Sequence, residues 1–296
     1  MQEGVQLSSG WMGLQPPKAC VIGLGLIGGS WAGALHAQGW TVFAVDTDLA
    51  SLEEARKRGW IEAGWPEIPA YLDVDLVILA LPLHLLEHGL KLLLGRLPSG
   101  SIVTDTGSIK GQVCPYTLEF LKHGIFFIGG HPMTGSEKSG FAAADPGLFV
   151  GYPYVLTPLE ECPRLATEEL AKLLEKLGAK VVWRESGLHD RHVALVSHVP
   201  HLLAVALAQA AGNRCAEGIS PSPLELAGRS FRELTRIADS SPEMWKEIMV
   251  RNAPAILDGL ELWQAEIDKL REFVRNRDGD GIAEAFRQAR RVRQLL

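Results

Sequence analysis

The sequence predicts an α/β protein in which a doubly wound, mainly parallel sheet is followed by an all-helical domain. Up to about residue 185, short apolar runs alternate with amphipathic helical stretches, a pattern typical of parallel sheets covered by helices. A glycine-rich turn follows the first apolar run, and strand-like runs stop after residue 187. We therefore expect two domains, residues 1–187 and 188–296, in direct contact because no linker composition separates them.

Seven apolar runs in the first domain have the length and residue types of strands. They are Ala19–Gly23, Thr41–Val45, Leu76–Ala80, Ile102–Thr104, Phe126–Ile128, Tyr152–Leu156 and Lys180–Trp183. The helical patterns between them are Leu26–Gln38, Asp48–Arg58, Leu83–Leu93, Ile109–His123 and Cys162–Leu177. Less regular segments separate the last strands, which allows an antiparallel edge.

The second domain is predicted to be helical throughout. Its helical patterns are Leu188–Gly212, Pro223–Ile237, Pro242–Val274 and Gly281–Leu296. The most hydrophobic window, Ala194–Ala211, contains two histidines, a proline and a glutamine. It is therefore expected to form a buried helix rather than a membrane span.

The composition is that of a globular protein, since 47% of the 296 residues are hydrophobic and 22% are charged. The net charge of −6 gives no electrostatic reason to expect nucleic acid or an anionic membrane as a partner. The four cysteines lie far apart, which favours reduced thiols in a cytoplasmic protein. Residues 1–18 lack the basic start and apolar core of a signal peptide.

The first strand runs directly into a Gly-x-Gly-x-x-Gly turn. Gly23 permits the tight turn, Gly25 lets the backbone approach a pyrophosphate, and Gly28 allows close packing of helix and strand. Leu26 and Ile27 stand between them at the start of the helix, whose free N–H groups favour phosphate. Because strand, turn and helix are all in place, the sequence predicts a Rossmann-type dinucleotide site at these five residues.

The second strand ends at an acidic residue, Asp46, at the distance expected for the acid that binds the adenosine ribose hydroxyls. The neighbours Thr47 and Asp48 offer no cation for a 2′-phosphate, so NAD is favoured over NADP. Asp46 could instead only cap the next helix, but Asp48 is the better capping candidate.

Two residues that could carry chemistry follow the fourth and fifth strands. Ser108 lies in the run 104–110, and His131 lies in the glycine-rich run 129–140. Both runs stand at the carboxyl ends of predicted strands, where doubly wound sheets bind ligands. A histidine at such a position can exchange a proton near neutral pH. The alternatives are a helix cap for Ser108 and a structural hydrogen bond for His131.

Four stretches resemble the prephenate and arogenate dehydrogenases of tyrosine biosynthesis. They are Gly129-Gly130-His131-Pro132-Met133-Thr134-Gly135-Ser136-Glu137-Lys138-Ser139-Gly140, Asp105-Thr106-Gly107-Ser108-Ile109-Lys110, Ser197-His198-Val199-Pro200-His201, and Phe231–Ala238 continuing through Ser241–Trp245. The resemblance runs in family order from about Cys20 to Trp245. It implies NAD(P)-dependent oxidative decarboxylation by a Rossmann domain followed by an all-helical dimerisation domain, and hence a homodimer.

The resemblance also implies roles for individual residues. His131 matches the catalytic histidine, which binds the ring hydroxyl of the substrate and takes its proton as hydride leaves the same carbon. Ser108 matches a serine that contacts the same hydroxyl. Loss of the ring carboxylate as CO₂ then follows because it makes the ring aromatic.

The substrate-binding residues implied by the resemblance are Arg236, His201, Ser136, Glu137 and Trp245. Arg236 matches an arginine that binds a substrate carboxylate. The planar guanidinium group of arginine suits this role because it can donate two parallel hydrogen bonds to a carboxylate. His201 matches an active-site histidine, and Ser136 and Glu137 match positions that border the substrate. A surface salt bridge for Arg236 and a core position for Trp245 remain open.

The chain departs from the family pattern at two places. Glu233 stands where aspartate is usual, and Gly228-Arg229-Ser230 stands in place of a glycine-rich run. Both departures leave the choice between prephenate and arogenate open, with prephenate as the main prediction.

Three other interpretations remain. A β-hydroxyacid dehydrogenase would share the two-domain plan but usually places a catalytic lysine where this chain has His198 and His201. A non-catalytic NAD-binding sensor would not need Ser108, His131, His201 and Arg236 together. The pairs His189/His192 and His198/His201 have helical spacing, but no metal site is predicted from them.

Overall fold

The computed structural model describes residues 16–135, 138–216 and 223–295, without the side chains of residues 214–216. Within this part, eight strands form a single sheet. The strands are β1 (Lys18–Ile22), β2 (Thr41–Val45), β3 (Ala63–Trp65), β4 (Leu76–Leu79), β5 (Ile102–Asp105), β6 (Phe126–Pro132), β7 (Pro153–Thr157) and β8 (Lys180–Trp183).

The sheet has the order β3-β2-β1-β4-β5-β6-β7-β8. Neighbouring strands from β3 to β6 are parallel, β6 and β7 are antiparallel, and β7 and β8 are again parallel to each other. The predicted Rossmann-type sheet is confirmed, and so is the antiparallel edge. The three-residue strand β3 was not predicted, because its sequence Ala-Gly-Trp is too short to show a pattern.

Eleven α-helices lie in the described residues. They are α1 (Leu26–Ala37), α2 (Leu49–Lys57), α3 (Leu83–Leu93), α4 (Tyr116–Leu121), α5 (Arg164–Lys176), α6 (Ser186–Val193), α7 (Val199–Ala216), α8 (Arg229–Thr235), α9 (Pro242–Arg251), α10 (Ala253–Arg275) and α11 (Gly279–Arg293). Short 3₁₀ helices cover Phe141–Ala143, Pro223–Leu226 and Arg236–Asp239, and one π turn, Ala194–His198, joins α6 to α7. The helical character of the second domain is therefore confirmed.

Three of the predicted helices were wrong in extent. The pattern Pro223–Ile237 is divided into the 3₁₀ helix Pro223–Leu226, α8, and a second 3₁₀ helix that begins at Arg236. The pattern Pro242–Val274 is broken at Asn252 into α9 and α10. The pattern Ile109–His123 forms a helix only at its centre, α4. The start of the pattern Ile109–His123 forms turns instead of an α-helix, and the amides of Lys110 and Gly111 there donate to the Asp190 carboxylate, at 2.8 Å each.

Both faces of the sheet are buried, as expected for a doubly wound sheet. Successive β1 residues alternate between two core clusters, with Ala19 and Val21 in one and Cys20 and Ile22 in the other. Trp31 of α1 fills the first cluster and is fully buried. The glycine-rich turn between β1 and α1 is thus held by packing on both sides.

The helical domain has a much smaller core, built around Ala194, Val199 and Ile256. The helix Ser186–Asn213 is long and apolar enough to cross a membrane by length and composition alone, and 28% of its most apolar window is buried. Leu195 and Val196 are 49% and 67% exposed. In the single chain the predicted buried helix is therefore only partly buried, because the helical domain has too few layers to cover this face.

The helical domain contacts the sheet domain near the carboxyl ends of its strands. The Glu247 carboxylate on α9 accepts a hydrogen bond from the backbone N–H of His84, at the start of α3, at 2.9 Å. Arg251 donates to Oε1 of Gln112, which follows β5, at 2.6 Å. These contacts bring α9 to the strand exits. The domain boundary at residue 187 stays a prediction.

Candidate active site

The glycine turn has the shape that a dinucleotide pyrophosphate requires. Gly23 has a φ of +94°, and a Cβ added there would overlap the Ala80 carbonyl oxygen. A Cβ at Gly28 would overlap the carbonyl oxygen of Gly23, whereas one at Gly25 meets nothing within 4 Å. Among the described residues no side chain caps α1, so the first N–H groups of this helix are available to a phosphate. The turn therefore fits a dinucleotide.

The Asp46 carboxylate lies directly beside this turn. It accepts hydrogen bonds from the backbone N–H of Leu24 at 2.5 Å and of Asp48 at 2.7 Å. Asp48, not Asp46, caps α2 by accepting from the Ala50 amide at 3.1 Å. Asp46 is thus tied to the backbone rather than free, but each carboxylate oxygen keeps a further lone pair for a ribose hydroxyl.

A buried ion pair lies under the loop that carries Ser108. Lys110 and Asp105 are both fully buried and paired with each other. Nζ of Lys110 also donates to the Gly130 carbonyl at 2.7 Å, and the Asp105 carboxylate accepts from the amides of Gly107 at 2.8 Å and Gly130 at 3.1 Å. This pair joins the exits of β5 and β6, and the sequence interpretation missed it.

Ser108 is half-buried in the loop after β5. It does not cap a helix, because α4 begins eight residues later at Tyr116. The capping alternative for Ser108 is therefore wrong, and the role implied by the resemblance stays a prediction.

His131 is the second-last residue of β6 and is half-buried. Its Nδ1 is 2.9 Å from Nε2 of His189. Burial of the ring lowers the pKa of His131 well below its usual 6.5, and electrostatic interactions with His189, Lys110 and His198 lower it further. The ring is therefore neutral at neutral pH, the state in which a histidine accepts a proton.

His201 stacks on Trp245, with ring centroids 3.7 Å apart and planes inclined by 28°. Its Nδ1 donates to the Ser197 carbonyl at 2.8 Å, which leaves Nε2 as an acceptor. Burial lowers the pKa of His201, and the charge of Arg236 lowers it further. His201, Trp245 and Arg236 are thus brought together.

Trp245 is half-buried, and among the described residues its indole Nε1 has no hydrogen-bond acceptor although the atom itself is buried. Its ring is also nearly perpendicular to that of His198, with the ring centroids 5.8 Å apart. Burial lowers the pKa of His198 to about 4. A buried donor without an acceptor costs about 1–3 kcal/mol, and a ligand that accepts from Nε1 would remove this cost.

Arg236 begins a 3₁₀ helix and is exposed. Within the described part of the chain it forms no ion pair, so the salt-bridge alternative is not observed.

The two departures from the family pattern pair with each other, because Nε of Arg229 donates to Glu233 at 2.6 Å on an exposed face. The remaining predicted site residues, Ser136 and Glu137, lie outside the described residues.

Three residues that sequence reasoning did not select lie next to the predicted ones. His189 and Asp190 are buried on α6, and Asn252 is buried between α9 and α10. The adjacent His-Asp pair at the start of the second domain was the available signal. Over residues 16–135, 138–216 and 223–295, no three His, Cys, Asp or Glu side chains form a group suited to a metal ion.

The fold and the site together define an oxidoreductase with a nucleotide-binding sheet domain and a helical domain at its strand exits. Two family models match the chain. They are the nucleotide-binding domain of prephenate dehydrogenase over residues 31–183 and the dimerization domain of prephenate dehydrogenase over residues 185–288. The chain belongs to the prephenate dehydrogenase family.

Individual relatives agree with this assignment. The chain is 36% identical over 281 residues to the prephenate dehydrogenase of Bacillus subtilis, with 93% of this chain and 74% of the relative covered. The prephenate dehydrogenase of Aquifex aeolicus, solved with hydroxyphenyl propionate and NAD⁺, superimposes with a TM-score of 0.84 at 28% identity and 95% and 98% coverage. The Synechocystis arogenate dehydrogenase gives 0.81 at 29% identity and 94% and 99% coverage.

Proposed function

We propose that the protein catalyses the NAD-dependent oxidative decarboxylation of prephenate to 4-hydroxyphenylpyruvate, with arogenate as the alternative substrate. The observation that carries the proposal is His131, a half-buried histidine whose lowered pKa keeps it neutral. It lies at the carboxyl end of β6, at the same edge of the sheet as the glycine turn that follows β1. The relatives that bind NAD⁺ and a hydroxyphenyl compound, or act on arogenate, support the same chemistry.

The bound dinucleotide supplies a hydride acceptor. His131 takes the proton of the ring hydroxyl, the electrons of that O–H bond form a C=O bond, and the C–H bond on the same carbon breaks as its hydride leaves for that acceptor. The C–C bond to the ring carboxylate then breaks, its electrons make the ring aromatic, and the proton returns to the phenolic oxygen. Ser108 holds the hydroxyl in line, and Arg236 binds a carboxylate.

The choice of prephenate over arogenate rests on the charges around Arg236. Arogenate carries an ammonium group where prephenate carries a keto group, so an arogenate site needs a free carboxylate. Glu233 is already paired with Arg229 at 2.6 Å, which makes it a poor ammonium partner. We therefore expect prephenate to be preferred.

The test is the rate of NADH formation with prephenate and with arogenate, each measured with NAD and with NADP. We expect the highest kcat/KM for prephenate with NAD. A higher kcat/KM for arogenate would make the alternative substrate the correct one. No reduction of either cofactor with either substrate would exclude the proposal.

Cofactor preference is predicted to depend on Asp46. Asp46→Ser combined with Thr47→Arg should move the preference toward NADP by about tenfold or more, since a charged hydrogen bond to ribose is exchanged for a cation facing the 2′-phosphate. Thr47→Arg alone is the matched control and should shift the preference less, because the repelling carboxylate remains. If the unmodified protein already prefers NADP, this assignment of Asp46 is wrong.

We further propose that the active form is a homodimer assembled through the helical domain. The exposed apolar side chains of the long helix, including Leu195, Val196, Val205 and Leu207, support it, as does the match to a dimerization domain. Burial of such a face across a two-fold axis removes apolar area from water. Sedimentation at micromolar concentration should give twice the chain mass, and a fully active monomer would contradict the prediction.

We also propose a cytoplasmic location, and we expect no nucleic-acid or membrane partner. The boundary between the two domains is proposed near residue 187. Cys20, Cys114 and Cys162 are buried free thiols, and burial raises the pKa of Cys20 to about 12 and of Cys114 to about 11. Such thiols are unreactive and suit a reducing compartment. The side chain of Cys215 lies outside the described residues.

A further inference from the structure

A buried histidine, His189, lies between His131 and a carboxylate. Its Nε2 is 2.9 Å from Nδ1 of His131, and its Nδ1 is 2.7 Å from Oδ1 of Asp190. The side chain of His189 is 1% exposed, and the two imidazole rings meet edge to face with centroids 5.1 Å apart. The three side chains form one continuous row of hydrogen bonds that ends at the exit of β6.

The backbone amides around Asp190 determine which atoms in this row carry protons. Oδ1 accepts a hydrogen bond from the amide of Lys110 and Oδ2 one from the amide of Gly111, both at 2.8 Å. A carboxylate held by two donors accepts from His189 as well, so Nδ1 of His189 is the donor. An imidazole whose one proton is on Nδ1 carries a lone pair on Nε2, so Nε2 of His189 accepts from Nδ1–H of His131. Nε2 of His131 is left without a proton.

We propose that His189 and Asp190 are positioning residues that hold His131 in the tautomer whose Nε2 is the base for the substrate hydroxyl. The identity of the substrate in this inference rests on the proposed function. The tautomer rests on the hydrogen bonds that join His131, His189 and Asp190. The hydroxyl proton goes to Nε2, its O–H electron pair forms the C=O bond, and the hydride on the same carbon passes to NAD. The imidazolium keeps its Nδ1–H bond to His189, and the carboxylate at the far end stabilises it.

The same carboxylate also holds the loop that carries Ser108. The two amides it binds, those of Lys110 and Gly111, follow Ser108 by two and three residues. The main-chain carbonyl of Asp190 accepts from Nδ2 of Asn252, at the start of α10, at 2.8 Å. One residue thereby fixes the loop after β5, the histidine row and the helical domain relative to one another.

The tautomer can be measured in the cofactor-free protein by ¹⁵N NMR of labelled histidine, with His131→Asn identifying the His131 signals. At neutral pH we expect Nδ1 of His131 to be protonated and Nε2 to be unprotonated. His189→Asn should return His131 toward the Nε2–H form that free histidine favours. The matched control is His192→Asn, an exposed histidine three residues later on α6, which should change nothing. A proton on Nε2 of His131 in the unmodified protein would overturn the proposal.

Kinetics give a second measurement. His189→Asn and Asp190→Asn should each lower kcat by roughly 10- to 1000-fold and change KM by less than about threefold, because the row acts on a base needed in the transition state. A kcat of His189→Asn equal to that of His192→Asn would also overturn the proposal. If neither prephenate nor arogenate is oxidised, the proposed function fails while the ¹⁵N measurement still decides the tautomer. If a variant does not fold, the ¹⁵N measurement on the unmodified protein still decides the tautomer of His131.

Discussion

His131→Asn is expected to lower kcat by about 10²–10⁴-fold, the range typical of losing a general base, and to leave KM nearly unchanged. The ring of His131 acts as the hydroxyl loses its proton, so its contribution is made mainly in the transition state. Asparagine keeps a polar side chain of similar reach but cannot take the proton. Steady-state kinetics with prephenate and NAD measure both constants.

Arg236→Gln is the companion variant and should mainly raise KM. Arg236 comes from the helical domain and would bind a carboxylate in the ground state and the transition state alike. Arg229→Gln is the matched control, because Arg229 is already paired with Glu233 on an exposed face. If His131→Asn and Arg236→Gln both change KM alone, the proton acceptor must be sought at His201.

The pH dependence of kcat/KM tests the same assignment of His131. The neutral ring is the active form, so activity should fall as acid protonates it. Burial, and electrostatic interactions with His189, Lys110 and His198, lower the pKa of His131 well below 6.5. The acid limb is therefore expected below pH 6.5, and it should vanish from the residual activity of His131→Asn. A limb above 6.5 would contradict this environment.

Lys110→Met is expected to lower the free energy of unfolding by about 3–5 kcal/mol. Lys110 and Asp105 are fully buried, and removing one partner of a buried ion pair leaves an uncompensated charge. The Asp105 carboxylate would keep its bonds from the amides of Gly107 and Gly130 but lose its cation. Urea unfolding at a fixed protein concentration measures the effect.

A second variant separates charge from packing. Lys110→Met with Asp105→Asn removes the buried charge while keeping a side chain of similar shape, so it should recover much of the lost stability. Lys246→Met is the matched surface control, since Lys246 and Glu243 are largely exposed, and its urea midpoint should hardly move. A midpoint for Lys110→Met equal to that of Lys246→Met would show that the buried pair does not stabilise the fold.

Most of the sheet domain could be predicted because its signals are local. Alternating apolar runs gave seven of the eight strands, and the glycine spacing located the turn at residues 23–28. His131 could be selected because a histidine after two glycines at a strand exit is poor core material. The short strand β3 escaped prediction because pairing with β2, rather than any pattern of its own, makes it a strand.

The sequence by itself thus determined the order of the elements, the dinucleotide turn and the catalytic candidates, because periodicity and special backbone conformations act over a few residues. Only the tertiary structure decided that His189, 58 residues later in the chain, contacts His131. Asp190 in turn contacts His189. The Asp190 carboxylate likewise accepts hydrogen bonds from the amides of Lys110 and Gly111, 80 and 79 residues earlier in the chain. Such contacts depend on which distant segments pack together, and a buried polar group takes whichever partner that packing provides.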